Sequence, residues 1–237
     1  MEILVSKFIY PKDLACIEKT FSHYKNINLQ LAFFSRKDFL FLDHKKIKKV
    51  CDDLNINIPT VHAPCVDVFD NQFLEILSLI KKIYNVKVIS IHPQRGERTE
   101  ALKRLKEISF LIKELDLILA YENFPQKLSF RKWICLVQEM YNFFDLDFLK
   151  ITFDTSHLDN TQEVISEFRK AKDRIQVIHL SDKNNNQTHL PLGEGNLCYQ
   201  AFLDYLKEIE FKGFLVLEYL NTYENKLIKD YFRLKSV

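Results

Sequence analysis

Where the short apolar runs of this chain end, side chains that bind metal ions begin. Pro59-Thr60-Val61 runs into His62, Val86 to Ile91 into His92, and Leu117 to Tyr121 into Glu122. Leu149 to Phe153 runs into Asp154 with His157 close behind, Val177-Ile178 into His179 and Asp182, and Phe214 to Leu217 into Glu218. His189 follows in a polar loop that ends in Gly193-Glu194-Gly195. Five of the seven histidines belong to this set; the other two, His23 and His44, fall beside helices and read as surface residues. One histidine or aspartate at a strand end is commonly a cap or a paired polar group. A whole set converging on one place is different, because imidazoles and carboxylates taken out of water are costly unless they pair or hold a cation. Neutral imidazole and carboxylate are the usual ligands of divalent metals. One to two divalent ions per chain, Zn, Mn or Co, are therefore expected.

The elements that must position these groups alternate strictly. Strands are predicted at Ile3–Val5, Ile27–Phe34, Pro59–His62, Val86–Ile91, Leu117–Tyr121, Leu149–Phe153, Ile175–Leu180 and Phe214–Leu217. Apolar residues at helical spacing predict helices over Lys12–Tyr24, His44–Leu54, Asn71–Tyr84, Glu97–Leu115, Phe130–Phe144, Thr161–Ala171, Tyr199–Ile209 and Asn221–Phe232. Strand-helix alternation argues for a parallel sheet covered by helices, and eight units of about 30 residues argue for a closed α/β barrel, the (β/α)8 TIM barrel. No linker or low-complexity tract interrupts it, so residues 1–237 are expected to form one domain. In such a barrel the C-terminal strand ends form the mouth where chemistry sits, and that is where the histidines and acids fall.

Composition narrows the class. The chain has 237 residues, 47% of them hydrophobic, enough for a full core. No apolar run approaches the ~18 residues of a membrane span, and Glu2 stands where a secretory leader would be basic, so a cytoplasmic protein without a membrane partner is expected. The net charge of +2 lends no support to a dedicated nucleic-acid binder. Five cysteines, odd in number and without a CxxC pair, fit reduced thiols. Apolar residues near the last helix, such as Phe232, leave monomer and homodimer both open. Half of the four glycines stand in one loop, at Gly193 and Gly195. Glycine permits close approach of a backbone, so amides there could form an anion nest ahead of a helix; a plain tight turn is the equal alternative.

Read together, the chain resembles the xylose isomerase-like TIM barrels, the superfamily of sugar isomerases and epimerases, inosose dehydratase and endonuclease IV. The motifs are Val61-His62-Ala63-Pro64, Ile91-His92-Pro93, Glu122-Asn123, Phe153-Asp154-Thr155-Ser156-His157, His179-Leu180-Ser181-Asp182, His189-x-Pro191-x-Gly193-Glu194-Gly195 and Leu217-Glu218, in the family's order over most of the chain. The resemblance implies one metal held by Glu122, Asp154, His179 and Glu218. It implies further that His62, His92, His157 and His189 hold additional metal, as in the endonuclease branch, or contact substrate. Gln187 stands where the endonuclease pattern has an aspartate, Phe124-Pro125 replaces its glycine-rich stretch, and Cys65 replaces a DNA-facing tyrosine. These departures weigh against an abasic-site nuclease.

Two mechanisms fit one frame. In a sugar or sugar-phosphate isomerase or epimerase, the metal stabilises an enediolate, Glu122 and Glu218 transfer protons on the two faces of the reacting carbon, and His157 holds a substrate hydroxyl. In a multi-zinc phosphodiesterase, His62 and His92 hold one ion, Asp154, His179 and Glu218 a second, and Glu122 bridges. Gln30, Asp182, Lys183, Gly193 and Gly195 are candidate substrate contacts, the two glycines for a phosphate and Lys183 for a phosphate or a hydroxyl.

Overall fold

In the computed structural model, which describes residues 1–92, 98–123 and 146–236, eight parallel strands close into a barrel in chain order. They are β1 (Glu2–Ile9), β2 (Asn28–Phe33), β3 (Asn57–His62), β4 (Val88–Ile91), β5 (Ile118–Glu122), β6 (Leu149–Asp154), β7 (Ile175–Leu180) and β8 (Phe214–Leu217). Val5 of β1 lies opposite Leu29 on one side and Leu217 on the other, which closes the ring and leaves no edge strand. The helices between strands are α1 (Ile17–Ser22), α2 (Arg36–Phe41), α3 (His44–Asp53), α4 (Phe73–Tyr84), α5 (Arg98–Glu107), α6 (Ser109–Glu114), α7 (Thr161–Ala171), α8 (Tyr199–Glu208) and α9 (Glu224–Lys235). The helix expected at Phe130–Phe144 lies outside the described residues.

The departures from expectation are local. β1 runs four residues past Val5. The first helix begins as a 3-10 turn, Pro11–Cys16, because a proline opens it. The long helix expected at Glu97–Leu115 divides at Ile108 into α5 and α6. The short α2 was not expected; Ser35 caps it, its Oγ accepting the Asp38 amide at 3.0 Å. The last helix is preceded by the 3-10 turn Asn221–Tyr223 and continues past Phe232.

Alternation along the strands separates two apolar compartments. Outward residues such as Leu29, Val61, Ile89, Leu119, Ile151, Ile178 and Leu215 join the helices in the main core. Inward ones, Leu4, Val88, Ala120, Val177 and Val216, form a small cluster at the barrel floor. Two residues further along comes a polar layer: Gln30 Nε2 donates to Ser90 Oγ at 3.2 Å, and Thr152 Oγ1 donates to the same oxygen at 2.9 Å. Two residues beyond Thr60, Ser90 and Thr152 stand His62, His92 and Asp154, and two residues beyond Ala120, Val177 and Val216 stand Glu122, His179 and Glu218. The period of two therefore lifts one ligand-type side chain from each of β3 to β8 to the same rim.

His44 is buried, not a surface residue, at 5% exposure. Its Nε2–H donates to the Phe39 carbonyl and its Nδ1 accepts from the Tyr84 hydroxyl, both at 2.8 Å, so the neutral ring satisfies both partners. Burial lowers its pKa despite the Phe39 carbonyl and Asp43. The folded ring thus binds protons less readily than the unfolded one, and its contribution to stability is lost as pH falls below about 6.5. His44→Phe should cost about 2 kcal/mol at pH 7.5 by leaving two buried polar groups unpaired. That cost should shrink between pH 7.5 and 5.5, measured by urea unfolding of both proteins; a cost that grows over this range would refute the assignment.

Candidate metal centre

Each side chain of the centre is delivered by the end of a strand. His62, Glu122 and Asp154 close β3, β5 and β6; His179 sits one residue inside the end of β7; His92 and Glu218 immediately follow β4 and β8. Asp154 and His179 are fully buried, and His62, Glu122 and Glu218 nearly so. Their ligand atoms fall into three overlapping groups, each within 4.8 Å: Glu122, Asp154, His179 and Glu218; His62, His92 and Glu122; and Asp154, His157 and His189. All eight residues expected at a metal are thus brought together.

The hydrogen-bond inventory tests whether they suit a cation. His179 Nδ1 lies 2.9 Å from Glu218 Oε2 and 3.5 Å from Glu122 Oε1, yet neither of its ring nitrogens makes an aligned hydrogen bond, and Asp154 Oδ2 accepts none either. Buried carboxylate oxygens and ring nitrogens are rarely left so, and a divalent ion among these donors would satisfy them. The Asp154 carboxylate is oriented by its other oxygen, which accepts the Ser156 amide at 2.7 Å. Two histidines are oriented from behind. His62 Nδ1 donates to the Ala63 carbonyl at 3.0 Å and His157 Nδ1 to the Asn123 carbonyl at 2.7 Å. Each Nε2 then faces a carboxylate, that of His62 donating to Glu122 Oε2 at 2.9 Å and that of His157 3.3 Å from Asp154; with a cation in place of the proton, the same nitrogens would offer lone pairs. His92 reaches the same point, Nε2 3.1 Å from His62 Nε2, with Cys65 Sγ 2.8 Å from its Nδ1.

Electrostatics bind the set together. Burial alone would raise the Glu122 carboxyl; the imidazoles of His179, His62 and His92 outweigh it and hold it well below the usual carboxylate range. Glu218, likewise resisted by burial, is pulled down to about 2 by His179. Burial opposes charge on His179 and His189, but Glu218 and Glu122 lift the first well above the ordinary value, and Asp154 with Glu218 lifts the second. Protons on these rings occupy the role a cation would take.

His189 adopts a left-handed backbone, φ 57°, uncommon for a residue with a Cβ. The exchange of backbone hydrogen bonds between Asp182 and Leu190, at 2.8 and 2.9 Å, and the Leu220 amide on the His189 carbonyl at 3.0 Å hold it there. Its ring is thereby aimed between Asp154 and Glu218, 4.0 and 3.9 Å away.

The loop after β7 corrects one expectation. Its anion nest is filled from within: Asp182 Oδ2 accepts the amides of Gly193 and Gly195 at 3.0 Å, and Oδ1 those of Lys183 and Leu197 at 2.8 and 2.9 Å. A Cβ on Gly195 would lie 2.1 Å from the Lys183 carbonyl, and Gly193 has φ +83°, so both glycines serve this internal cage rather than a phosphate. Lys183 Nζ stands 3.6 Å from Asp159. Gln30 lies in the polar layer below the ligands. Neither lines the cavity at the mouth.

That cavity, about 290 Å³, is bounded on one side by His62, His92, Glu122, His157, His189 and Glu218. The rest of its lining, which sequence reasoning missed, is Phe8, Tyr10, Phe33, Phe34, Tyr219, Leu220 and Asn221. The alternation of Leu4, Ser6, Phe8 and Tyr10 was the available signal, hidden by ending β1 too early. Ser6 was also missed; its Oγ donates to Glu218 Oε1 at 3.4 Å. Tyr219 accepts the Leu192 amide at 3.2 Å and donates to Asp230 at 2.8 Å, tying the β7 loop to α9.

A closed barrel of eight parallel strands with this rim defines a class. Residues 28–233 match the xylose isomerase-like TIM barrel family, and the chain belongs to it. A D-psicose 3-epimerase of Enterocloster bolteae is 28% identical over 129 residues, 53% of this chain and 41% of that one, so the match spans less than half of the relative. A crystal structure of D-psicose 3-epimerase in the presence of D-fructose superposes with a TM-score of 0.72 at 14% identity, over 100% of this chain and 97% of the other. Endonuclease IV from Thermus thermophilus superposes at 0.60 and 15% identity, over 99% and 100%. At such identities the two structures speak for the fold alone.

Asp182→Asn should cost on the order of 3 kcal/mol, because the new amide turns N–H groups toward amide donors in a buried cage; an unchanged urea midpoint would contradict that role. Titration of the protein with Mn²⁺ or Zn²⁺ should release protons, with affinity falling as pH falls, because ions and protons compete for the same rings and carboxylates. Calorimetry in buffers of different ionisation enthalpy reads both.

Proposed function

We propose that this protein is a divalent-metal-dependent sugar isomerase or epimerase. The observation that carries the reading is the placement of Glu122 and Glu218, two ionised carboxylates reaching the same His179 Nδ1 from different strands, 3.5 and 2.9 Å away, at the cavity wall. The partial likeness to a D-psicose 3-epimerase supports it. Glu122, Asp154, His179 and Glu218 would hold the metal, which when bound polarises a carbonyl and its neighbouring hydroxyl.

This chain's residues do the rest. One glutamate removes a proton from the carbon beside the carbonyl, and the other returns one to the opposite face. The surrounding imidazoles, outweighing burial, favour the ionised form that the accepting glutamate needs; the glutamate that returns a proton must first take one up, for which His92 stands 3.3 Å from Glu122 and His189 3.9 Å from Glu218. His157, its Nδ1 fixed on the Asn123 carbonyl, presents Nε2 to a substrate hydroxyl. Ser6 steadies Glu218 from within the barrel. Support for a phosphorylated substrate falls away with the nest that Asp182 fills.

A second reading, a multi-metal phosphodiester hydrolase, is favoured by one observation, the two further donor groups at His62, His92 and Glu122 and at Asp154, His157 and His189.

Elemental analysis of protein purified without added metal or chelator separates them. About one ion per chain supports the isomerase; two or more Zn²⁺ with cleavage of a phosphodiester supports the hydrolase. Turnover of a ketose in D₂O should place deuterium at the reacting carbon. Glu122→Gln and Glu218→Gln should each lower kcat at least about 100-fold with the fold preserved by circular dichroism. Turnover that survives in both, or no uptake of deuterium, would overturn the proton-transfer assignment.

A further inference from the structure

We propose that Cys65 is a positioning residue of the metal centre: its sulfur accepts the Nδ1–H of His92 and so fixes that ring with Nε2 turned to His62 and Glu122. This role rests on an ion being held among the ligands and on neither of the two reactions.

His62 and His157 are turned from behind by backbone carbonyls. His92 is held differently. Its Nδ1 lies 2.8 Å from Cys65 Sγ, while its Nε2 stands 3.1 Å from His62 Nε2 and 3.3 Å from Glu122 Oε2. His62 Nε2 is in turn 2.9 Å from the same carboxylate oxygen, so three donor atoms close a small triangle. Ligands about 2.0–2.1 Å from a tetrahedral ion stand about 3.3 Å from one another, and the triangle is close to that size. To face such an ion, His92 Nε2 must offer its lone pair. The ring proton then sits on Nδ1, and the sulfur is its acceptor.

The fold places the sulfur. Cys65 lies three residues past the end of β3, yet its backbone bridges in parallel to Ser35, and its amide donates to the Phe34 carbonyl at 3.4 Å. The pairing of β2 with β3 thus resumes beyond both strands and brings Cys65 beside the end of β4, where His92 begins. Cys65 is exposed, whereas His62 and Glu122 are buried. A small reagent therefore reaches the sulfur without passing the buried ligands, and the hold on His92 is accessible to thiol chemistry.

The test is Co²⁺ binding to the whole chain in oxygen-free buffer, read by calorimetry and by the spectrum of the bound ion. Losing an outer hydrogen-bond partner weakens a metal site roughly 10–100-fold, so Cys65→Ala should weaken at least one bound ion about tenfold or more. The urea midpoint of the metal-free protein should not move. Cys65→Ser, whose hydroxyl accepts the same N–H, should stay within about threefold of the parent protein. The ¹⁵N resonance of His92 Nδ1 should report a protonated nitrogen in the loaded parent and Ser variant, and shift in Cys65→Ala. If a variant fails to fold, the parent protein decides. Methyl methanethiosulfonate passes its methylthio group to the sulfur, forming a disulfide as methanesulfinate leaves and the thiol proton is released; dithiothreitol reverses this by exchange. Modification at Cys65, located by peptide mapping, should weaken Co²⁺ binding and reduction should restore it. Affinity indifferent to the reagent and to Cys65→Ala, or a loss in Cys65→Ser as large as in Cys65→Ala, overturns the role of Cys65 alone. A sulfur-to-cobalt charge-transfer band would make Cys65 a ligand and also overturn positioning. No Co²⁺ bound to the parent protein overturns this role together with both metal-dependent readings.

Discussion

Three buried carboxylates, Glu122, Asp154 and Glu218, face five imidazoles at one end of a barrel, and much of this structure serves to make that arrangement tolerable. Isolated ionised groups in such a place would be costly by several kcal/mol each. Here each carboxylate lies within reach of at least one ring, and two of the rings are turned from behind by backbone carbonyls. Barrel closure provides the geometry, since β5, β6, β7 and β8 are adjacent and in register, with Asp154 opposite His179 and Glu218 one step beyond the Leu180–Leu217 pair. A donor set of this kind, with orphaned lone pairs at its centre, is suited to a cation.

The loop after β7 shows how a site is supported at a distance. Asp182 gathers four amides, Tyr219 and Asp230 fasten the same loop to the last helix, and His189 is held in a left-handed backbone as a result. Strain of this kind persists only where neighbours over-determine it. The two glycines of the loop exist for that cage. The aromatic wall opposite the ligands belongs to the same logic. It lines the same cavity as His62, Glu122 and Glu218.

The barrel was legible because its signals are local. Each strand carries a run of apolar residues, most of them ending in a ligand-type side chain, and three elements, Thr161–Ala171, Ile175–Leu180 and Phe214–Leu217, have the bounds the pattern predicts. Errors fell where tertiary context overrides pattern. His44 looks like a polar surface residue at a helix start, but Phe39 and Tyr84 give it two buried partners. β1 reads as three residues because Ser6 and Lys7 interrupt its apolar run; in the fold Ser6 points inward to Glu218 and Lys7 pairs with Glu224 at 2.7 Å.

The sequence by itself determined the eight strands, the inward period of two, and the identity of the eight metal-type side chains at one rim, because each depends on residues close in the chain. The tertiary structure alone decided which of those side chains share a point, because that depends on barrel closure and strand register. It also decided that the glycine loop encloses Asp182 instead of a phosphate, and that an aromatic wall faces the ligands. Those pairings join residues far apart in sequence, Ser6 with Glu218 and Tyr10 with Asn221, and no local pattern encodes a contact that only the closed ring brings into being.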